Sequence, residues 1–247
     1  MEDRIRVPGI EDGLLLSGDK IFFTLQGEGV SLGRPAVFLR LHMCNLECNF
    51  NHGNICDAWY TWKKDTKEYQ TESEVMSYFD IANKIKEFPT KLLVITGGEP
   101  LIQQKNILKL LNWLPSFEIE IETNGTIIPL PDFNETFLQI CFNCSPKLSN
   151  SGNSLRKSIK KDAITSIRDM RKSYFKFVVS CEEDIDEIDN FVKDFVISNH
   201  QIIIMPEGVH SQILSNRMVW ISEEIKKRGW RMTPRLQVFV WGNTRGT

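Results

Sequence analysis

Apolar residues along the chain follow two alternating patterns. Short runs rich in β-branched and aromatic residues occur at VFLRL (37–41), LLVIT (92–96), FEIEIE (117–122), LQICFN (138–143), YFKFVV (174–179), QIIIM (201–205) and LQVFVW (236–241), and each predicts a strand. Between them apolar positions recur at helical spacing, which predicts helices near 72–88, 104–114, 155–172, 182–198 and 211–228. In EEDIDEIDNFVKDFV, for example, Ile185, Ile188, Phe191, Val192 and Phe195 would share one face. Strands alternating with helices imply βα units, a mostly parallel sheet and an α/β fold. In such folds, whether the sheet is open or closed into a barrel, ligands gather beyond the C-terminal ends of the strands. The chemistry should then sit in loops that follow strands, and the unusual residues fall there. The most irregular stretch, 42–71, follows VFLRL. No repeat, low-complexity segment or Pro/Gly/Ser linker divides the chain, so 1–247 reads as one domain.

Composition narrows the partners. Of 247 residues, 41% are hydrophobic and 25% charged, ordinary values for a globular domain. A formal net charge of -2 and a pI of about 6.1 give no electrostatic case for a nucleic-acid binder. The opening MEDRIRVPGIEDG is charged and has no apolar core, unlike a secretion signal. Apolar runs such as 92–95 and 202–205 are too short to cross a bilayer. The expectation is a cytoplasmic protein without membrane attachment. Thiols stay reduced there, so clustered cysteines point to a metal or to catalysis rather than to disulfides. Six cysteines are present, and three of them fall within LHMCNLECNFNHGNICDAWYTW.

Cys44, Cys48 and Cys56 are separated by three and then seven residues. Three thiolates do not complete a structural zinc site, although His52 in the same loop would supply a fourth ligand. Three thiolates can also bind a four-iron cluster and leave one iron open. The amine and carboxylate of S-adenosylmethionine would chelate that iron before an electron breaks the sulfonium bond. Spacing alone leaves both readings open.

Other motifs decide between them. FFTLQGEGVSLGRPAVFLRL precedes the cysteines; VITGGEPL (94–101), IETNGT (121–126), CSPKLS (144–149), MPEG (205–208) and PRLQVFVWGNTRGT (234–247) follow. Together they resemble the radical S-adenosylmethionine enzymes, and among those the 7-carboxy-7-deazaguanine synthases, from about residue 20 to 247. The superfamily usually carries Cys-x3-Cys-x2-Cys. Here the third cysteine comes five residues later, an extension that costs roughly 1 kcal/mol of loop entropy, and Cys56 is still followed by Asp57.

The resemblance implies a partial (β/α) barrel that converts 6-carboxy-5,6,7,8-tetrahydropterin to 7-carboxy-7-deazaguanine with loss of ammonia. It implies one [4Fe-4S] cluster on Cys44, Cys48 and Cys56. Leu25, Gln26 and Gly27 would hold the pterin, and Arg40 would grip its carboxylate through two parallel hydrogen bonds. Thr96 and Arg235 fall at substrate-contacting positions, and Thr247 would present a terminal carboxylate to the ring. S-adenosylmethionine would lie against Ile55, Cys56, Asp57, Gly98, Glu99, Ser145, Pro146 and Lys147. The loop Met205, Pro206, Glu207 and Gly208 would cradle its adenine. Gly97 and Gly98 would let the ligand approach the backbone, Glu99 would accept from its ammonium, and Glu122 would face the cofactor region. An electron donor such as flavodoxin or ferredoxin, a homodimer and no direct nucleic-acid contact are implied as well.

One position departs from the family. A threonine two residues past the third cysteine binds magnesium in many of these synthases, and Ala58 stands there instead, with Asp57 or Thr61 as possible substitutes. Cys141 and Cys144 could form half of an auxiliary cluster, but no second pair exists and burial is the simpler reading. Trp59, Tyr60 and Trp62 could stack a base, although packing over the cluster loop is the simpler role. Two rivals remain. A glycyl-radical activase would share the cluster and GGEP but has no reason for LQGEG with Arg40. A zinc-stabilised, non-catalytic binding protein would share only the cysteines.

Overall fold

The computed structural model describes residues 12–50 and 53–247. The charged N-terminal start and His52 therefore lie outside the described residues. The core is a nine-stranded sheet in the order β11-β10-β9-β8-β7-β6-β2-β1-β5. Its strands are β1 (Gly13–Leu25), β2 (Pro35–Leu41), β5 (Glu74–Ser77), β6 (Leu92–Gly97), β7 (Glu118–Thr123), β8 (Ile140–Cys144), β9 (Ser173–Val179), β10 (Ile202–Pro206) and β11 (Arg231–Met232). From β2 to β11 all neighbours pair in parallel; β1 alone runs antiparallel, against both β2 and β5. This is the expected α/β architecture, a mostly parallel sheet in a partial barrel.

Side chains along the parallel strands alternate between two faces. Leu39, Ile95, Ile121, Phe142, Phe177 and Ile204 occupy one, where they join helical residues such as Ile81, Ile107, Ile164 and Ile188 in a continuous apolar core. The other face carries Arg40, Thr96, Glu120, Glu122, Asn143 and Lys176, all on strands yet all polar. Because β-sheets bury apolar surface by default, a polar inner face marks the site. The register pairs Arg40 with Thr96, Glu122 with Asn143, and Val178 with Met205, so the strands end on one common rim.

The structure corrects two expectations. Residues 74–77, placed within a predicted helix, form edge strand β5 against Gly13–Leu16 of β1, and the helix starts only at Tyr78 with Ser77 as its cap. LQVFVW is a helix, Leu236–Trp241, not a strand. Pro234 has no N–H for a ladder, and the Leu236 N–H instead donates to Gly27 O at 2.9 Å. Only Val238 of this helix is buried, so its β-branched composition meets no sheet.

Candidate active site

The loop from β2 into residues 42–71 carries the three cysteines onto the rim. A small hairpin, β3 (Asn49–Phe50) against β4 (Asn54–Ile55), fills the interval between Cys48 and Cys56. The paired strands bring the flanking cysteines together, and the Cys56 N–H donates to Cys48 O at 3.1 Å. The delayed spacing therefore leaves the second and third cysteines adjacent. Asn54 donates to Glu207 Oε1 at 2.7 Å, which docks the hairpin on the 205–208 loop.

All three cysteines line one cavity of about 640 Å³, within the usual range for a small-molecule site. Three asparagines organise their surroundings, none of which the sequence reading singled out. Asn153 Nδ2 lies 3.3 Å from Cys48 Sγ, and Asn124 Nδ2 lies 3.9 Å from Cys44 Sγ while also donating to Asn45 Oδ1 at 2.9 Å. The Leu46 N–H points at Cys44 Sγ at 3.5 Å. Amide donors aimed at cysteine sulfur are what a cluster-bound thiolate uses to hold its charge. In the protein alone, burial pushes the Cys44 thiol up to about 12 and the Cys56 thiol up to about 11. Burial also raises Cys48, against the nearby charge of Lys147. Iron must displace those protons on binding. Among the described residues no three cysteine, histidine or acidic side chains converge as round a single ion. Three thiols lining one cavity, with amide donors at two of the sulfurs, fit a four-iron cluster that they would hold.

Gly97 and Gly98 turn out to serve the chain itself. A Cβ on Gly98 would stand 2.1 Å from Met43 O, and one on Gly97, whose φ is +136°, 2.2 Å from Leu41 O. The strand entering the cluster loop passes here, bonded through Gly98 N to Leu41 O (3.1 Å) and Glu99 N to Met43 O (2.9 Å). Glu99 is brought to this loop but not to the cavity wall. It is wholly buried, and its carboxylate accepts from Leu101 N at 3.0 Å, Thr123 Oγ1 at 2.7 Å and Asn124 N at 2.7 Å. It fixes the strand ends through these bonds.

The remaining expected residues surround the cavity. Gly98, Ser145 and Lys147 line it, with Ile55, Asp57, Met205, Glu207 and Gly208. Pro146 and Pro206 lie between lining residues. Lys147 Nζ donates to Ser145 O and Oγ, both at 2.9 Å, and has no acidic partner among the described residues. Leu25, Gln26, Gly27, Arg40, Thr96, Glu122 and Thr247 line the same cavity. Thr96 Oγ1 donates to Glu122 Oε2 at 2.8 Å, and Gln26 Nε2 lies 3.3 Å from both Glu122 Oε1 and Glu120 Oε2.

Two of the arginines that line the cavity, Arg235 and Arg40, differ sharply. Arg235 is committed: it pairs with Asp57, stands 3.4 Å from Glu28 Oε1 and donates to Gly208 O at 2.6 Å. Arg40 has no ion pair among the described residues; its guanidinium stands 5.5 Å over the Phe22 ring and its Nε is buried without a partner. Sequence reasoning missed the network behind Arg235. Lys176 pairs with Glu28, and Gln237 donates to Glu28 Oε1 at 2.8 Å. Burial alone would raise Glu28, yet the charges of Lys176 and Arg235 hold it at about 2.

The magnesium position does not fit a metal here. Ala58 is buried and carries no side-chain oxygen, the Thr61 hydroxyl donates to Ala58 O at 2.7 Å, and Asp57 is held by Arg235. Cys141 and Cys144, both buried, fall on opposite faces of β8, with Cys144 in the apolar core.

Comparison with known proteins agrees with this geometry. Residues 25–126 match a family described as "4Fe-4S single cluster domain". A 7-carboxy-7-deazaguanine synthase of Pyrobaculum aerophilum is 34% identical across 92% of this chain and 95% of its own length. The chain belongs to the 7-carboxy-7-deazaguanine synthase family. A further synthase, from Clostridium acetobutylicum, is 32% identical across 91% of this chain and 96% of its own. The crystal structure of QueE from Escherichia coli shares the fold with a TM-score of 0.66, at 24% identity, over 90% of this chain and 93% of that one. As a member of this family the chain is a radical S-adenosylmethionine lyase that uses one [4Fe-4S] cluster and S-adenosylmethionine.

Proposed function

We propose that this synthase converts 6-carboxy-5,6,7,8-tetrahydropterin to 7-carboxy-7-deazaguanine with loss of ammonia. The observation that carries the reading is a single cavity lined both by the three cysteines and by the guanidinium of Arg40, whose buried Nε has no partner. When bound, the cluster and S-adenosylmethionine would supply one-electron reduction and radical chemistry directed at C6 of the pterin.

The protein's own residues position and protect. Cys44, Cys48 and Cys56 would hold the cluster. Ser145, Lys147, Gly98 and the 205–208 loop hold S-adenosylmethionine, with Lys147 offering its unpaired charge to the cofactor's carboxylate. Arg40 receives the pterin carboxylate in a bidentate pair, which also satisfies its orphaned Nε. Gln26, Thr96 and Glu122, already bonded to one another, present a fixed acceptor and donor edge to the aminopyrimidinone ring. Arg235 holds Glu28 and Asp57, so it acts by keeping the cluster loop against the β1 end rather than by gripping a carboxylate. No step runs through magnesium.

A small one-electron carrier such as flavodoxin or ferredoxin supplies the electron to a homodimer in the cytoplasm; the family resemblance supports this. Among the described residues no helix is long and apolar enough to cross a membrane. One domain carries the whole site, since its wall draws on residues from Phe22 to Thr247. Anaerobic reconstitution with iron and sulfide, followed by incubation with carboxytetrahydropterin, adenosylmethionine and a reductant, tests the reading. Mass spectrometry should find 7-carboxy-7-deazaguanine. Recovery of unchanged pterin from cluster-loaded protein would count against it.

A further inference from the structure

Residues 242–247 form part of the cavity wall beside Arg40 and Tyr60. This tail has a weak apolar anchor. The helix before it ends at Gly242, and its last three residues, Phe239, Val240 and Trp241, are 41%, 52% and 37% exposed. What holds the tail is Arg245. Its guanidinium stands 3.9 Å from the centroid of the Tyr60 ring, its Nη2 donates to Glu72 Oε2 at 2.6 Å, and its Nε lies 3.9 Å from Asp19 Oδ2.

Those three partners come from three separate places. Tyr60 follows the third cysteine by four residues, Glu72 caps the helix Lys67–Thr71, and Asp19 lies in the irregular part of β1, where the register to β2 shifts between Leu16 and Ile21. The irregularity makes room for the contact. Gly18 has a φ of +60°, and a Cβ there would stand 2.6 Å from Tyr60 Cε2 and 2.8 Å from Arg245 Nη2. Tyr60 is 2% exposed, so the face that Arg245 covers belongs to a ring otherwise enclosed.

Exposed ion pairs taken singly hold little. Here a cation–π contact and two carboxylates converge on one guanidinium, which restricts the tail far more than either pair alone. The charges of Arg40 and Arg245 both reach Tyr60, so the clamp and the free guanidinium share a neighbour.

We propose that Arg245 is a positioning residue that clamps 242–247 over the substrate end of the cavity, so that pterin affinity depends on the clamp while cluster assembly does not. The inference rests on the pterin-binding reading for its kinetic consequence, but the clamp itself does not. Arg245→Ala and Arg245→Lys test it on reconstituted protein through amide hydrogen exchange of 242–247, steady-state kinetics and iron content. Arg245→Ala should speed exchange of the tail and raise KM for carboxytetrahydropterin roughly tenfold, with kcat within about twofold. Iron content and uncoupled adenosylmethionine cleavage should stay at wild-type levels. Arg245→Lys keeps the Glu72 pair and loses the planar guanidinium, so it should restore part of both effects. Unchanged tail exchange in Arg245→Ala would overturn the clamp. A loosened tail with unchanged KM would overturn its role in binding. Should the wild type fail to turn over the pterin, the substrate reading falls and tail exchange alone decides the clamp.

Discussion

Replacing Arg40 by Ala removes a cavity guanidinium that has no ion pair among the described residues. Its Nε is buried and unpartnered, and its contact with Phe22 is a ring face at 5.5 Å. The folded protein therefore loses little with the side chain: a partly exposed cation–π contact contributes about 0.5–1 kcal/mol, and an unsatisfied buried donor disappears with it. The substrate complex loses much more. Charge-assisted bidentate contacts contribute about 1.5–3 kcal/mol, and 1.4 kcal/mol is about a factor of ten, so kcat/KM for carboxytetrahydropterin should fall roughly 10- to 150-fold. Arg40→Lys keeps the charge but not the fork and should recover only part. Kinetics on reconstituted variants, with iron content and uncoupled adenosylmethionine cleavage measured in parallel, check this; both controls should hardly move. Normal turnover of the pterin by Arg40→Ala would refute the reasoning. The carboxylate would then sit elsewhere, and Arg235, freed from Asp57 or Glu28, would be the next residue to test.

Replacing Cys44, Cys48 or Cys56 by Ala should abolish iron binding and adenosylmethionine cleavage together, whereas Cys141→Ala and Cys181→Ala should leave both nearly intact; iron analysis with a cleavage assay decides. Turnover by the wild type should be indifferent to added magnesium, whereas Ala58→Thr, which restores a side-chain oxygen, should respond to it. Equal saturation of both proteins at the same low concentration would show that the missing hydroxyl is immaterial. Glu28→Gln leaves Lys176 buried without its carboxylate and should lower stability by about 3 kcal/mol in chemical denaturation. Because folding lowers the Glu28 pKa from 4.5 to about 2, its contribution is full above pH 4.5 and is lost as pH falls towards 2. The gap between wild type and Glu28→Gln should accordingly narrow over that window; a constant gap would mean that the pair holds no such charge.

Much of the site was legible because its residues sit in short contiguous motifs. LLVIT and QIIIM are apolar on both faces, the mark of parallel strands covered on both sides, and both were read correctly. Other features depend on chain segments far apart. Glu28 meets Lys176 148 residues away and Arg235 207 residues away, and no local pattern announces such pairs. Strand β1 escaped because its centre, SGDK, breaks the alternation: Gly18 and Lys20 both have positive φ, and the strand resumes only at Ile21. Cys48 and Cys56 were correctly grouped, but the hairpin that brings them together depends on two residues per strand, below what periodicity detects. The partners Glu99 takes within the fold, Leu101, Thr123 and Asn124, follow from its burial, which the sequence does not display.

Transfer of deuterium from C6 of the pterin tests the central claim most directly, namely that cluster, cofactor and substrate share one cavity. Reconstituted protein should be incubated anaerobically with C6-deuterated carboxytetrahydropterin, adenosylmethionine and a reductant, and both small molecules analysed by mass spectrometry. The account predicts 7-carboxy-7-deazaguanine as product and deuterium in the recovered adenosylmethionine, because the cofactor is regenerated. Product formed with no deuterium in the cofactor, or cofactor cleaved with the pterin untouched, would contradict it.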